Sequence, residues 1–325
     1  MSPRTTLTFL GAFVGALLTA RGEALTLTRT IALPHVEGRI DHFAHDVAGA
    51  RLFVAGLGNN SVEVVDLKSG RVVRSIAGFA EPQGIFFVPG LNRLYIANGG
   101  DGALRVFDGT TFAAIATIKF SDDADNLRYE AATQRIYVGY GDGALGVVDA
   151  TNNKIVGDIR LGGHPESFQL EQDGTRIFVN VPRARQVAVL DRVQRKVVAA
   201  WTTGSAAGNF PMALDEARHR LFLACRSPAR LLVLDTGSGR ELASLKLHGD
   251  CDDLFFDAER HQLYASCGEG FIDIFTQIEA DHYALTESVP TTAKARTCFF
   301  DGRQIYLAVP KVGGRDAEIR VYAVH

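Results

Sequence analysis

The chain has 325 residues, 46% hydrophobic and 22% charged, with a formal net charge of −3. So apolar and weakly charged a composition excludes a disordered chain. The slight acidic balance argues against a dedicated nucleic-acid binder, which carries a basic face.

The first element is an export signal over residues 1–24. Arg4 precedes twelve apolar residues, 7–18 (LTFLGAFVGALL), and small residues follow at Thr19-Ala20 and Gly22-Glu23-Ala24. The stretch is shorter than the roughly 20 residues a membrane span needs, and no later run is a better candidate. The mature chain, 25–325, is expected to be periplasmic or secreted, free of a membrane span, and monomeric.

One unit then recurs seven times. Each copy opens a strand with a basic or amide residue: Arg51, Arg93, Arg135, Arg176, Arg220, Gln262 and Gln304. The openings are 41 to 44 residues apart. A second apolar strand follows in each: 61–67 (SVEVVDL), 103–109, 144–150, 186–192, 230–236, 271–277 and 317–323. In most copies a third follows a short polar turn, as at 71–76 and 154–159. Asn59-Asn60, Asp101-Gly102 and Asp142-Gly143 lie between strands, where tight hairpins need residues that tolerate positive φ. No segment after the signal sustains a 3.6-residue apolar period.

A unit of about 42 residues with up to four strands predicts a propeller blade. The expected fold is all-β, one seven-bladed β-propeller domain over 25–325. The last copy has no room for its fourth strand, so 25–33 (LTLTRTIAL) is expected to supply it and close the ring.

The four cysteines, Cys225, Cys251, Cys267 and Cys298, show no CxxC spacing, so structural zinc and haem attachment have no support. In an oxidising compartment they form one or two disulfides or stay as buried thiols, and the spacing leaves the pairing open. The glycines at 139, 141 and 143 resemble a dinucleotide fingerprint, but a strand follows where that motif needs a helix. His42 and His45 would point to opposite faces of a strand and so would not share one ion.

The candidate site comes from aligning the copies. Ten residues before each strand opening stand Asp41, Gln83, Asp125, Glu166, Phe210 and Asp252, with Arg296 in the seventh, shorter copy. The next positions are His42, Gly84, Asn126, Ser167, Pro211, Asp253 and Thr297, and His164 and Asn209 lie just before. These positions begin the innermost strands and are expected around one mouth of the central channel. Four carboxylates and one arginine in one ring repel unless a cation, a shared proton or water relieves them. Carboxylate, amide and imidazole donors suit a divalent cation or a polyhydroxylated ligand. The residues expected to bind are Asp41, His42, Gln83, Asp125, Asn126, His164, Glu166, Asn209, Asp252, Asp253 and Arg296.

The segments 51–67 (RLFVAGLGNNSVEVVDL), 93–109 (RLYIANGGDGALRVFDG) and 135–150 (RIYVGYGDGALGVVDA) resemble the bacterial YVTN-repeat, YncE-like seven-bladed propellers. Blades six and seven depart from the pattern, with Phe275-Thr276 and Tyr322-Ala323 where the other copies have an apolar residue and Asp. The resemblance implies fold more strongly than activity. It is compatible with a small molecule or a periplasmic protein as partner. Its alternative is a lactonase- or lyase-type enzyme in which a divalent ion polarises a carbonyl and His42 or His164 moves the proton. Some propellers are redox enzymes, but one tryptophan (Trp201) cannot form a two-tryptophan cofactor.

Overall fold

The computed structural model describes residues 23–325, so the expected export signal lies almost wholly outside the described residues. Seven four-stranded antiparallel sheets follow one another as blades. Blade one comprises Phe43–Asp46, Arg51–Gly56, Ser61–Asp66 and Arg71–Ala77. Blades two to six repeat this order, their innermost strands being Pro82–Val88, Ala124–Glu130, Phe168–Leu170, Ala207–Asp215 and Cys251–Asp257. Blade seven takes Cys298–Phe300, Gln304–Val309 and Ala317–Val324 from the C-terminus and Leu25–Leu33 from the N-terminus. Leu25 pairs with Val324 and Leu33 with Ala317, which closes the ring as the sequence predicts. Among the described residues no helix is long and apolar enough to cross a membrane.

The second and third strands repeat so clearly because neighbouring blades bury both their faces. Leu52, Phe53, Val54 and Ala55 are all fully buried, whereas Arg71–Ala77 on the rim is mostly exposed. The apolar cores lie between successive blades. Phe53 and Val64 of blade one, for example, meet Phe87 and Leu94 of blade two. Each such buried side chain stabilises the fold by about 1.5–3 kcal/mol.

The recurrent arginine is an inter-blade tie. Arg51 Nη1 donates to the Gly109 carbonyl of the next blade at 2.7 Å. Arg93 reaches the Ala150 carbonyl and Arg176 the Thr236 carbonyl in the same way. The aspartate that closes most third strands caps the following turn: Asp108 Oδ1 accepts the N–H groups of Thr110 at 2.9 Å and Thr111 at 2.7 Å. Blade six has Thr276 at that place, and its strand runs on as Phe271–Glu279. Blade seven has Ala323 there, and its strand continues alongside Leu25–Leu33. Both departures from the repeat thus coincide with longer strands.

All four cysteines are buried free thiols. His42 and His45 part as predicted. His45 packs against Phe299 and Tyr306, while His42 faces Asp41 and Asp253.

Candidate functional site: the mouth of the central channel

The innermost strands carry a β-bulge where the two aligned rings fall. The register breaks between Pro82 and Ile85, Ala124 and Leu127, Asn209 and Met212, and Cys251 and Asp253. A bulge sets two residues against one and re-aims a side chain. Consecutive residues therefore both face the channel.

The result is two layers. Gln83, Asp125, Glu166, Phe210, Asp252 and Arg296 line an outer cavity of about 700 Å³. His42, Gly84, Asn126, Ser167, Pro211 and Asp253 line an inner cavity of about 350 Å³, with Asp41, Asp125, Glu166, Phe210 and Asp252 at its rim. His164 stands on the wall of the outer cavity. Of the eleven residues expected to bind, Asn209 alone lies on neither wall. It is fully buried, and its Nδ2 donates to Asn180 Oδ1 at 2.8 Å. Asn180 in turn donates to the Phe210 and Pro211 carbonyls. Asn209 thus helps to set the backbone of blade five.

Charge is unevenly relieved around the ring. Asp252 is well paired: Arg226 binds its Oδ1, and Arg296 Nε lies 3.2 Å from Oδ2. Arg226 also stacks on Phe210, 3.9 Å from the ring centroid. Asp41 is 1% exposed and neither of its oxygens makes a directed hydrogen bond among the described residues, although Arg39 Nη2 lies 2.8 Å from Oδ2. His42 bridges two carboxylates without bonding either, at 3.7 Å from Asp41 and 3.7 Å from Asp253.

These environments shift the ionisations. Burial pushes Glu166 up to about 8, and the Asp125 carboxylate adds to the effect. Burial pushes Asp253 up to about 7 despite His42 beside it. Burial also raises Asp41 above the ordinary carboxylate range. For His164 burial acts downward, yet the Asp125 and Asp123 carboxylates and the Gly141 carbonyl outweigh it and raise it to about 9. His42 is raised too, burial being outweighed by the carboxylates of Asp41 and Asp253.

Sequence alignment missed a third layer. Three positions beyond the first ring stand Phe86, Arg128, Gln169, Phe255 and Phe299, all on the inner cavity wall. Arg128 donates to the Leu127 carbonyl at 2.7 Å and to Ser167 Oγ at 3.3 Å. No carboxylate pairs with it among the described residues, and burial lowers it to about 10. Two of its five donors are so engaged, which leaves donors for a ligand acceptor. Arg39, Asp123 and Arg226 at the mouth were also missed. The signal was there, since Arg39, Asp123 and His164 all stand two positions before the first ring.

No family model matches this chain, and no curated protein matches it. Among solved structures it is similar to a chain of a mitotic checkpoint complex, with a TM-score of 0.79 and 12% identity, covering 100% of this chain and 99% of that one. It is also similar to a chain of Kuenenia stuttgartiensis hydrazine synthase, with a TM-score of 0.72 and 17% identity, covering 84% of this chain and 94% of that one. At such identities the likeness is one of fold. The chain is a seven-bladed β-propeller, a fold compatible with ligand or protein binding.

Proposed function

We propose that this chain is an exported propeller of the YVTN-repeat, YncE-like kind that binds a small polar ligand in the mouth of its channel. The observation that carries the reading is the set of buried carboxylates on the inner cavity, Asp41, Asp125 and Asp253, which Arg39 and His42 only partly offset. Buried charge short of partners is costly, and a ligand donor relieves it. Asp125, Glu166 and Asp253 would join Asp41 around a cationic or donor-rich head. Arg128 and the Phe86, Phe255 and Phe299 rings would take an acceptor and an apolar body below. The inner cavity, about 350 Å³, falls at the small end of ligand pockets.

The test is a thermal-shift screen of amines, amino acids and polyols on metal-free protein. A compound that stabilises the wild type should not stabilise Asp125→Ala/Asp252→Ala, which should keep the β-sheet circular dichroism. Equal stabilisation of both proteins moves the site elsewhere.

A second reading, the lactonase- or lyase-type enzyme, is favoured by His42 between Asp41 and Asp253. A base flanked by carboxylates is stabilised as its imidazolium when it takes a proton. This reading requires a chelator-sensitive ring-opening activity that His42→Ala or His164→Ala abolishes. Unchanged turnover in both variants removes it.

A further inference from the structure

His164 is fixed through one ring nitrogen and open at the other. Nδ1 lies 2.6 Å from the Gly141 carbonyl oxygen. A carbonyl only accepts, so Nδ1 carries a proton. Nε2 faces two carboxylates, Asp123 Oδ2 at 3.8 Å and Asp125 Oδ2 at 3.9 Å. Both separations exceed a hydrogen bond. A lone pair on Nε2 would meet only negative oxygens.

Glu166 completes the cluster. One donor atom each from Asp125, His164 and Glu166 lie within 4.8 Å of one another. Metal bonds of about 2.0–2.2 Å to imidazole nitrogen and carboxylate oxygen span donor-to-donor gaps of up to roughly 4.4 Å, so the 3.9 Å between His164 Nε2 and Asp125 Oδ2 fits, and a small side-chain shift draws in any wider gap. A histidine held by a backbone carbonyl through its other nitrogen is the usual outer support of a metal ligand.

A buried side chain also points to a missing partner. Asp125 is 6% exposed and lines both cavities, and its carboxylate accepts no hydrogen bond within 3.5 Å among the described residues, His164 Nε2 lying 3.9 Å away.

We propose that Asp125, His164 and Glu166 bind one divalent transition ion, Zn²⁺ or Mn²⁺. The imidazole selects these over Ca²⁺ and Mg²⁺, which prefer oxygen alone. Asp123 is placed to give a further oxygen: Gln83 Nε2 holds its Oδ1 at 3.1 Å and leaves Oδ2 toward His164. The outer cavity beside these side chains leaves room for a ligand to reach the ion. The ion site goes beyond the organic-ligand reading and does not depend on it.

Isothermal titration of the chelator-treated chain with Zn²⁺ alone, and separately with Mn²⁺ alone, tests it. One ion per chain is expected for at least one metal. His164→Gln and Glu166→Gln should each weaken that binding at least ~10-fold, with the β-sheet circular dichroism kept. His325→Gln, at the C-terminus, should leave it unaltered. Asp125→Asn replaces either variant that fails to fold. The proposal is overturned by the absence of saturable one-to-one binding of either ion. It is equally overturned by binding that the cluster variants leave intact. Neither result bears on the screen of metal-free protein, so the two readings fail separately.

Discussion

Asp41 and His42 oppose the same residue across the sheet: the Asp41 N–H donates to the Ala55 carbonyl at 2.8 Å, and the Ala55 N–H donates to the His42 carbonyl at 3.0 Å. Glu166 and Ser167 oppose Asn180 in the same manner. This two-against-one pairing turns adjacent side chains toward one channel. It also explains why the deeper layer lies three positions on.

Gly84, in the second ring, tests how tightly the blades pack at the mouth. A Cβ there would stand 2.2 Å from the Asp125 carbonyl oxygen, which is backbone of the next blade. Gly84→Ala should destabilise the fold by about 1–3 kcal/mol in urea unfolding. An unchanged midpoint would mean the strands separate freely at the mouth.

Asn180 should matter more than its distance from the cavity walls suggests. It is fully buried and donates to two carbonyls of blade five. Asn180→Ala leaves both short of a donor and should cost about 1–3 kcal/mol. A cost below about 0.5 kcal/mol in chemical denaturation would contradict the tie.

The recurrent arginine should outweigh an exposed ion pair. Arg93→Ala loses charged hydrogen bonds to Ala150 and Thr151, about 1.5–3 kcal/mol. Arg160→Ala, whose side chain is 81% exposed beside Asp158, should cost at most ~1 kcal/mol. Equal costs by calorimetry would show that the repeat's arginine is not structural.

Stability should fall as pH rises toward neutrality. Asp253 has a folded-state pKa of about 7, above its ordinary 3.8. The folded state therefore holds a proton that the unfolded chain has released. Its contribution is full below the ordinary value and is lost as pH climbs through about 7. His42, also raised, adds a loss of the same sign above its ordinary 6.5. Asp253→Asn should flatten the fall below neutrality in thermal unfolding followed against pH. A wild-type profile rising over that range would contradict the assignment.

The blades were legible in sequence because second and third strands are buried on both faces and so repeat as apolar runs. The mouth was legible through alignment, because Asp125, Glu166 and Asp252 interrupt an otherwise regular unit at one place. Arg128 and the phenylalanine layer were not, because the bulge breaks the two-residue alternation that would have pointed to them. Asn209 misled for the opposite reason. It is polar and adjacent to the ring, yet pairing with Cys225 turns it into the blade. The ionisations of Glu166 and Asp253 depend on burial and neighbours from other blades, which spacing along the chain does not reveal.

The most direct test of the mouth as a binding site is native mass spectrometry of the chain, purified without chelator, beside Asp125→Ala/Asp252→Ala. The account predicts one stoichiometric ion or small molecule on the wild type and none on the variant. A bare wild type, or the same adduct on both, would contradict it.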